Sequence, residues 1–401
     1  MTSGPPVGDA RRAAVRGALA GAVAGAAAVG AVGAAAASAA AYFARQVVTP
    51  VSRRPDDVQI VAVGAGSVTL RANPITAAPG RYGAWLQRGG GHARFGDVLH
   101  HDDRTVTRTV LAVDAGRLLP GPARWNQYYF AGDPAAALGL SCQDVGIDTD
   151  LGPMPAWLVP AQPDRPVGDQ DAARWAILIH GRGATREECL RALPVLHRLG
   201  YTSLVVSYRN DAGAPRSPGG RYHLGDLEWR DVEAAVRWAT AAGAAEVVLV
   251  GWSMGGSIAL QVASRSALVE AVRGLVLDAP VLDWRSVFSH NARVHRLPQS
   301  VSRLSLRLLA HPLARRVTGV EDPVDLDRLD WVARAGQLRL PVLVLHSEDD
   351  DVVPAEPSRL FAAARPDLVT YVPSRGALHT KEWNVDPDGW DAAVARFLLG
   401  L

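Results

Sequence analysis

The chain of 401 residues is 48% hydrophobic and 20% charged, a balance that excludes disordered, collagen-like and disulfide-scaffold chains, and it is too long for one small domain. Its 42 basic and 40 acidic side chains leave a formal charge of +2, too little for a continuous basic face that would hold nucleic acid. Two cysteines, Cys142 and Cys189, cannot build a zinc site, and two unrelated buried thiols fit better than one bridge. Lys381 is the sole lysine of an arginine-rich chain.

Residues 1–16 form a basic tail carrying Arg11, Arg12 and Arg16. The stretch 17–44 is uncharged and longer than the ~20 residues a helix needs to cross a bilayer, although Ala and Gly dominate it. A signal-anchor helix, a signal peptide cleaved near Ser38 and an unstructured tail all fit. The basic flank and the length favour a membrane anchor; arginines on either side balance and do not settle its orientation, a main domain outside the cytoplasm is the expectation, and cleavage and secretion are the alternative. Gly17, Gly21 and Gly25 recur at the spacing that lets two helices approach closely, so weak dimerisation is expected there.

Residues 45–143 read as short β-type runs, Val58–Val63, Ser67–Leu70, Ala84–Gln87 and Thr105–Val113, separated by Gly, Pro and Asp clusters. This predicts a small β-rich accessory region. Asp144–Thr149 and Pro155–Pro160 suit a lead-in hairpin, and 161–171 is a loop. Beyond Ala172 the pattern changes. Apolar runs at Trp175–His180, Ser203–Ser207, Val247–Gly251, Gly274–Asp278, Val342–His346 and Leu368–Val372 alternate with amphipathic helices at Arg186–Leu199, Asp226–Ala242, Met254–Ser266, Pro354–Ala364 and Pro387–Leu399. Continuously apolar strands separated by helices predict an α/β domain over 144–401, a mostly parallel sheet covered on both faces. From 280 to 340 the alternation lapses, with helical periodicity at Val301, Leu304, Leu308 and Leu309. A helical cap over a pocket is expected there.

Gly251-Trp252-Ser253-Met254-Gly255 matches G-x-S-x-G between a strand and a helix. Side chains beside a serine on so tight a turn would strike neighbouring backbone, and glycines remove that collision. Serine at its free pKa is a poor nucleophile, so a base and an orienting acid are required. His379 lies in the loop before the last helix, and His346–Pro354 offers Glu348, Asp349, Asp350 and Asp351 after a strand. His180-Gly181-Arg182-Gly183 follows the first long buried strand, and Tyr208 follows the next. The remaining histidines lack metal-ligand spacing, and the glycines spell no phosphate-binding loop, so neither metal nor cofactor is expected.

With these residues in place, roughly 144–401 resembles the α/β-hydrolase superfamily of serine hydrolases. In that superfamily the penultimate strand runs into H-G-x-x-D-x-x-V-P, which on this chain falls on His346 to Pro354 and implies Asp350 as the triad acid, with Ser347 in place of the usual glycine. Asp278 is an alternative acid in some branches. The resemblance implies a Ser253–His379–Asp350 triad and an oxyanion hole from the backbone amides of Arg182 and Met254. His180, Gly181, Tyr208 and Trp252 would border the substrate. The implied activity is cleavage of a small-molecule or lipid ester, thioester or amide through an acyl-enzyme. The elbow also resembles prolyl-oligopeptidase-type peptidases, so a membrane-anchored peptidase is a second reading, and a non-catalytic binding module of the same fold is a third.

Overall fold

The computed structural model describes residues 33–51, 54–161 and 174–401. Two β structures organise them. The first is a closed barrel of β1 (Val58–Gly64), β2 (Ser67–Arg71), β3 (Tyr82–Leu86), β4 (Gly91–His101), β5 (Thr105–Ala115) and β6 (Gly121–Asn126), in the order β1-β2-β5-β4-β3-β6. Antiparallel pairing of Val58 with Ala123 closes it. Alternate residues Ile60, Leu70, Ala84, Phe95 and Trp125 fill the interior. The accessory region expected over 45–143 is therefore a barrel over a shorter span, with two strands, β4 and β6, that the residue pattern did not single out.

Arg108 of β5 is fully buried beneath the barrel. Its guanidinium donates to the carbonyls of Gly96 (2.9 Å), Thr76 (2.9 Å), Ala78 (2.8 Å) and Gly80 (2.5 Å), so a charge without a carboxylate partner is satisfied by backbone dipoles.

The second structure is an eight-stranded sheet in the order β14-β13-β12-β11-β9-β10-β8-β7. Its strands are β7 (Gln143–Thr149), β8 (Gly152–Val159), β9 (Arg174–Ile179), β10 (Thr202–Val206), β11 (Glu246–Trp252), β12 (Val272–Asp278), β13 (Val342–Ser347) and β14 (Val369–Ser374). β7 and β8 are the expected hairpin and run antiparallel at one edge; β10, β9 and the strands from β11 to β14 are mutually parallel. Side chains alternate between faces. Val247 and Leu249 join a core with the helices Trp229–Ala241, Met254–Arg265 and Glu356–Ala364, whereas Val248, Val250 and Trp252 face Leu193–Arg198 and Pro387–Leu399. Both faces are covered, which is why these strands read as unbroken apolar runs.

The helix expected over Arg186–Leu199 is instead a 3₁₀ segment, Arg186–Ala192, followed by the helix Leu193–Arg198. Pro194 has no N–H to give and sits in the first turn, so a regular helix starts there. The stretch 280–340 holds the helices Trp284–Val294 and Gln299–Leu309, the second capped by Pro298, and a short helix Arg315–Thr318.

The anchor expectation covers 17–44. Residues 17–32, with Gly17, Gly21 and Gly25, lie outside the described residues. The remainder of the stretch belongs to a helix over 33–48 that packs on the protein: Ala40, Ala44 and Val48, spaced four apart, are fully buried. Ser305 donates to the Ala40 carbonyl (3.0 Å), Arg45 to that of Val317 (3.2 Å), and the Tyr222 amide to that of Val48 (2.9 Å). No described helix is long and apolar enough to cross a membrane. The 161–171 loop lies outside the described residues apart from Ala161.

Candidate active site

Ser253 sits between β11 and the helix Met254–Arg265 with φ 53° and ψ −115°, a strained left-handed turn. The turn exists because its neighbours lack side chains. A Cβ on Gly251 would come within 2.5 Å of the Gly255 carbonyl oxygen, and one on Gly255 would overlap the Ile179 carbonyl. The Ser253 amide donates to the Asp278 carbonyl (3.0 Å), tying the turn to β12.

Asp350 follows β13 and His379 follows β14, so all three side chains meet at the carboxyl edge of the sheet. His379 Nε2 lies 2.9 Å from Ser253 Oγ, and His379 Nδ1 lies 2.7 Å from Asp350 Oδ2. The other Asp350 oxygen accepts from the amides of Val352 and Val353, each at 2.8 Å. His346 Nε2 approaches Oδ2 at 3.2 Å, its ring held by Ser358 at 2.8 Å. Burial opposes ionisation of Asp350, but the His379 charge and the bonds from His346 and His379 outweigh it and hold its carboxyl well below the usual carboxylate range. Among the neighbouring carboxylates, Asp349 accepts from the Gly376 amide (2.7 Å) and Asp351 from the His379 amide (3.1 Å), which fixes the loop rather than the imidazole. Asp278, the alternative acid, is fully buried and accepts from Trp390 Nε1 at 2.7 Å, away from the His379 ring.

The His180–Gly183 loop lies against the nucleophile: a Cβ on Gly181 would stand 3.2 Å from that of Ser253. The Gly181 amide is occupied by Glu188 Oε2 at 2.6 Å. Neither the Arg182 nor the Met254 amide has a hydrogen-bond acceptor among the described residues. His180 is fully buried, its Nε2 donates to Asp211 (2.8 Å), and it stacks on Tyr208 at 4.5 Å; the Tyr208 hydroxyl donates to the Gly181 carbonyl (3.0 Å).

Of the four residues expected to border the substrate, only Gly181 lines the cavity at Ser253. His180 and Tyr208 brace the loop from behind. Trp252 points to the opposite face of the sheet by strand alternation and stacks on Trp390.

That cavity holds about 530 Å³ and is mostly apolar. Sequence reasoning missed its walls: Phe43 and Val47 of the helix 33–48, and Tyr82 and Trp125 of the barrel. It also missed Lys381, which lines the cavity and is 7% exposed. Lys381 Nζ donates to the His379 carbonyl (2.6 Å) and to Thr380 Oγ1 (3.3 Å). Burial, with the Arg191 charge adding to it, pushes its pKa down to about 8. Behind it, Arg191 donates to the Thr380 carbonyl (2.7 Å) and Asn384 (2.8 Å), and burial with the Asp278 and Asp350 charges pushes Glu382 well above the usual carboxylate range. The single lysine in an arginine-rich sequence, two places from the candidate base, was the available signal. Cys142 and Cys189 are both unpaired.

The chain has the α/β-hydrolase fold, and residues 176–299 match the family model described by that name. Residues 59–126, the barrel, match a domain of unknown function (DUF8805). The chain is similar to the esterase Pf2001 of Pyrococcus furiosus, with a TM-score of 0.51 and 18% identity over 67% of this chain and 94% of that one. A second crystal form of that esterase gives a TM-score of 0.50 and 19% identity, covering 67% and 94%. No curated protein matches the sequence.

Proposed function

We propose that this chain is a serine hydrolase that cleaves carboxylic esters through an acyl-enzyme. The observation that carries the reading is the continuous Asp350–His379–Ser253 hydrogen-bond chain at a cavity. Ser253 Oγ attacks the ester carbonyl while its proton passes to His379 Nε2, and the C–O bond breaks as that proton moves to the departing alcohol. Water, deprotonated by the same imidazole, then cleaves the acyl-Ser253 bond and releases the acid. Asp350 fixes the imidazole's tautomer and stabilises its charged form. The free amides of Arg182 and Met254 are the donors for the negative carbonyl oxygen. The esterase activity of the P. furiosus relative agrees with this reading.

A fluorophosphonate probe tests the reading: the folded chain is expected to label covalently, and Ser253→Ala is expected to abolish labelling together with turnover of a short-chain aryl ester. A folded wild-type chain that neither labels nor turns over would overturn it.

A further inference from the structure

We propose that the helix 33–48 and the barrel form two walls of an acyl-chain compartment, making this chain selective for carboxylic esters with a long apolar acyl arm. The proposal rests on the serine-hydrolase reading and adds the substrate class. The cavity at Ser253, about 530 Å³, is within the range of sites that enclose a whole small molecule. Its apolar lining comes from three separate parts of the chain: Phe43 and Val47 from the helix, Tyr82 and Trp125 from the barrel, and Trp284 and Phe288 from the cap.

The charged groups in the cavity are gathered at the reacting end. Arg54 donates to the Gly183 carbonyl (2.9 Å), Glu188 accepts from the Gly181 amide (2.6 Å), Asp351 accepts from the His379 amide (3.1 Å), and Lys381 donates to the His379 carbonyl (2.6 Å). Each is bound to a loop that flanks the nucleophile, and Arg182 of the same loop lines the cavity too; the remaining wall is mostly aliphatic and aromatic, with Gln46, Asn291, His295 and Ser302 as polar members.

The walls are also fixed. The helix is seated by Ala40, Ala44 and Val48, all fully buried. Tyr82 is held by its hydroxyl on the Pro79 carbonyl (2.9 Å) and by the Arg108 guanidinium 5.3 Å from its ring centre. A compartment of this kind suits the acyl arm rather than the alcohol. The alcohol departs in the first step, whereas the acyl arm stays bound to Ser253 until water releases it. Each methylene moved from water into the compartment favours the longer substrate by roughly threefold to fourfold.

The test compares p-nitrophenyl esters from acetate to decanoate on the full chain, with the fluorophosphonate label as a separate readout of Ser253. Wild type is expected to show kcat/KM at least tenfold higher for decanoate than for acetate. Val47→Trp, which fills the compartment, is expected to lower the decanoate-to-acetate ratio at least tenfold, and Phe43→Ala, which enlarges it, to move the optimum to longer chains. A folded, labelling enzyme that prefers acetate overturns the acyl-compartment proposal and leaves the serine-hydrolase reading standing. The same holds if both variants keep the wild-type chain-length profile. Absence of labelling and turnover in wild type overturns both.

Discussion

The positive φ of Ser253 places strain on the one residue whose hydroxyl faces the base. Ser253→Ala and Ser253→Gly lose the same bond to His379, but only the glycine relaxes the backbone. Denaturant unfolding is therefore expected to find Ser253→Gly more stable than Ser253→Ala by about 1 kcal/mol. Asp350→Asn keeps the shape of the acid while removing the charge that faces His379. It is expected to cut kcat about 10³–10⁴-fold with little change in KM, read from steady-state kinetics on an aryl ester. Lys381 gives a pH dependence of definite sign. Its pKa falls from the ordinary 10.5 to about 8 in the folded chain, so the unfolded chain binds more protons between those values and stability rises with pH across that window. Replacement by methionine is expected to remove this rise, which unfolding curves at pH 7, 9 and 10.5 would show; an unchanged slope would count against the burial of that charge.

Among elements, the barrel depends most on one side chain. Arg108→Ala would leave the carbonyls of Gly96, Thr76, Ala78 and Gly80 without their donor and open a cavity beneath Tyr82. It is expected to cost about 3 kcal/mol or more in denaturant unfolding. Unequal legibility follows from the range of the interactions. The turn around Ser253 was readable because its glycines answer local collisions, whereas Asp350 stood out from Glu348, Asp349 and Asp351 only through the resemblance of His346–Pro354 to the superfamily pattern. The parallel strands were readable because burial on both faces leaves no polar positions. Barrel closure was not, since it rests on Val58 pairing with Ala123 across the whole unit. Nor was the role of 33–48: in a run of Ala and Gly, the seam of Ala40, Ala44 and Val48 is no more apolar than its flanks, and only a partner surface distinguishes it. Trp252 was misread for a related reason, since its neighbour in sequence points to the other side of the sheet.

At the scale of the whole molecule, the segment from 33 to 51 joins the parts. It packs against the cap through Ala40 and Ser305, meets the sheet domain through Val48 and Tyr222, and continues over the Gly181–Gly183 turn, where Val51 would touch a Cβ on Gly183 at 2.9 Å. Lys381 lines the same cavity, and because no other lysine exists it is the only side-chain amine in the protein. Amine-reactive acylating reagents should therefore modify the native chain slowly at this position, and quickly once the His379 loop swings outward or the chain unfolds. Peptide mass spectrometry after timed exposure to such a reagent would turn one buried ammonium into a clock for how often the rim beside Ser253 opens.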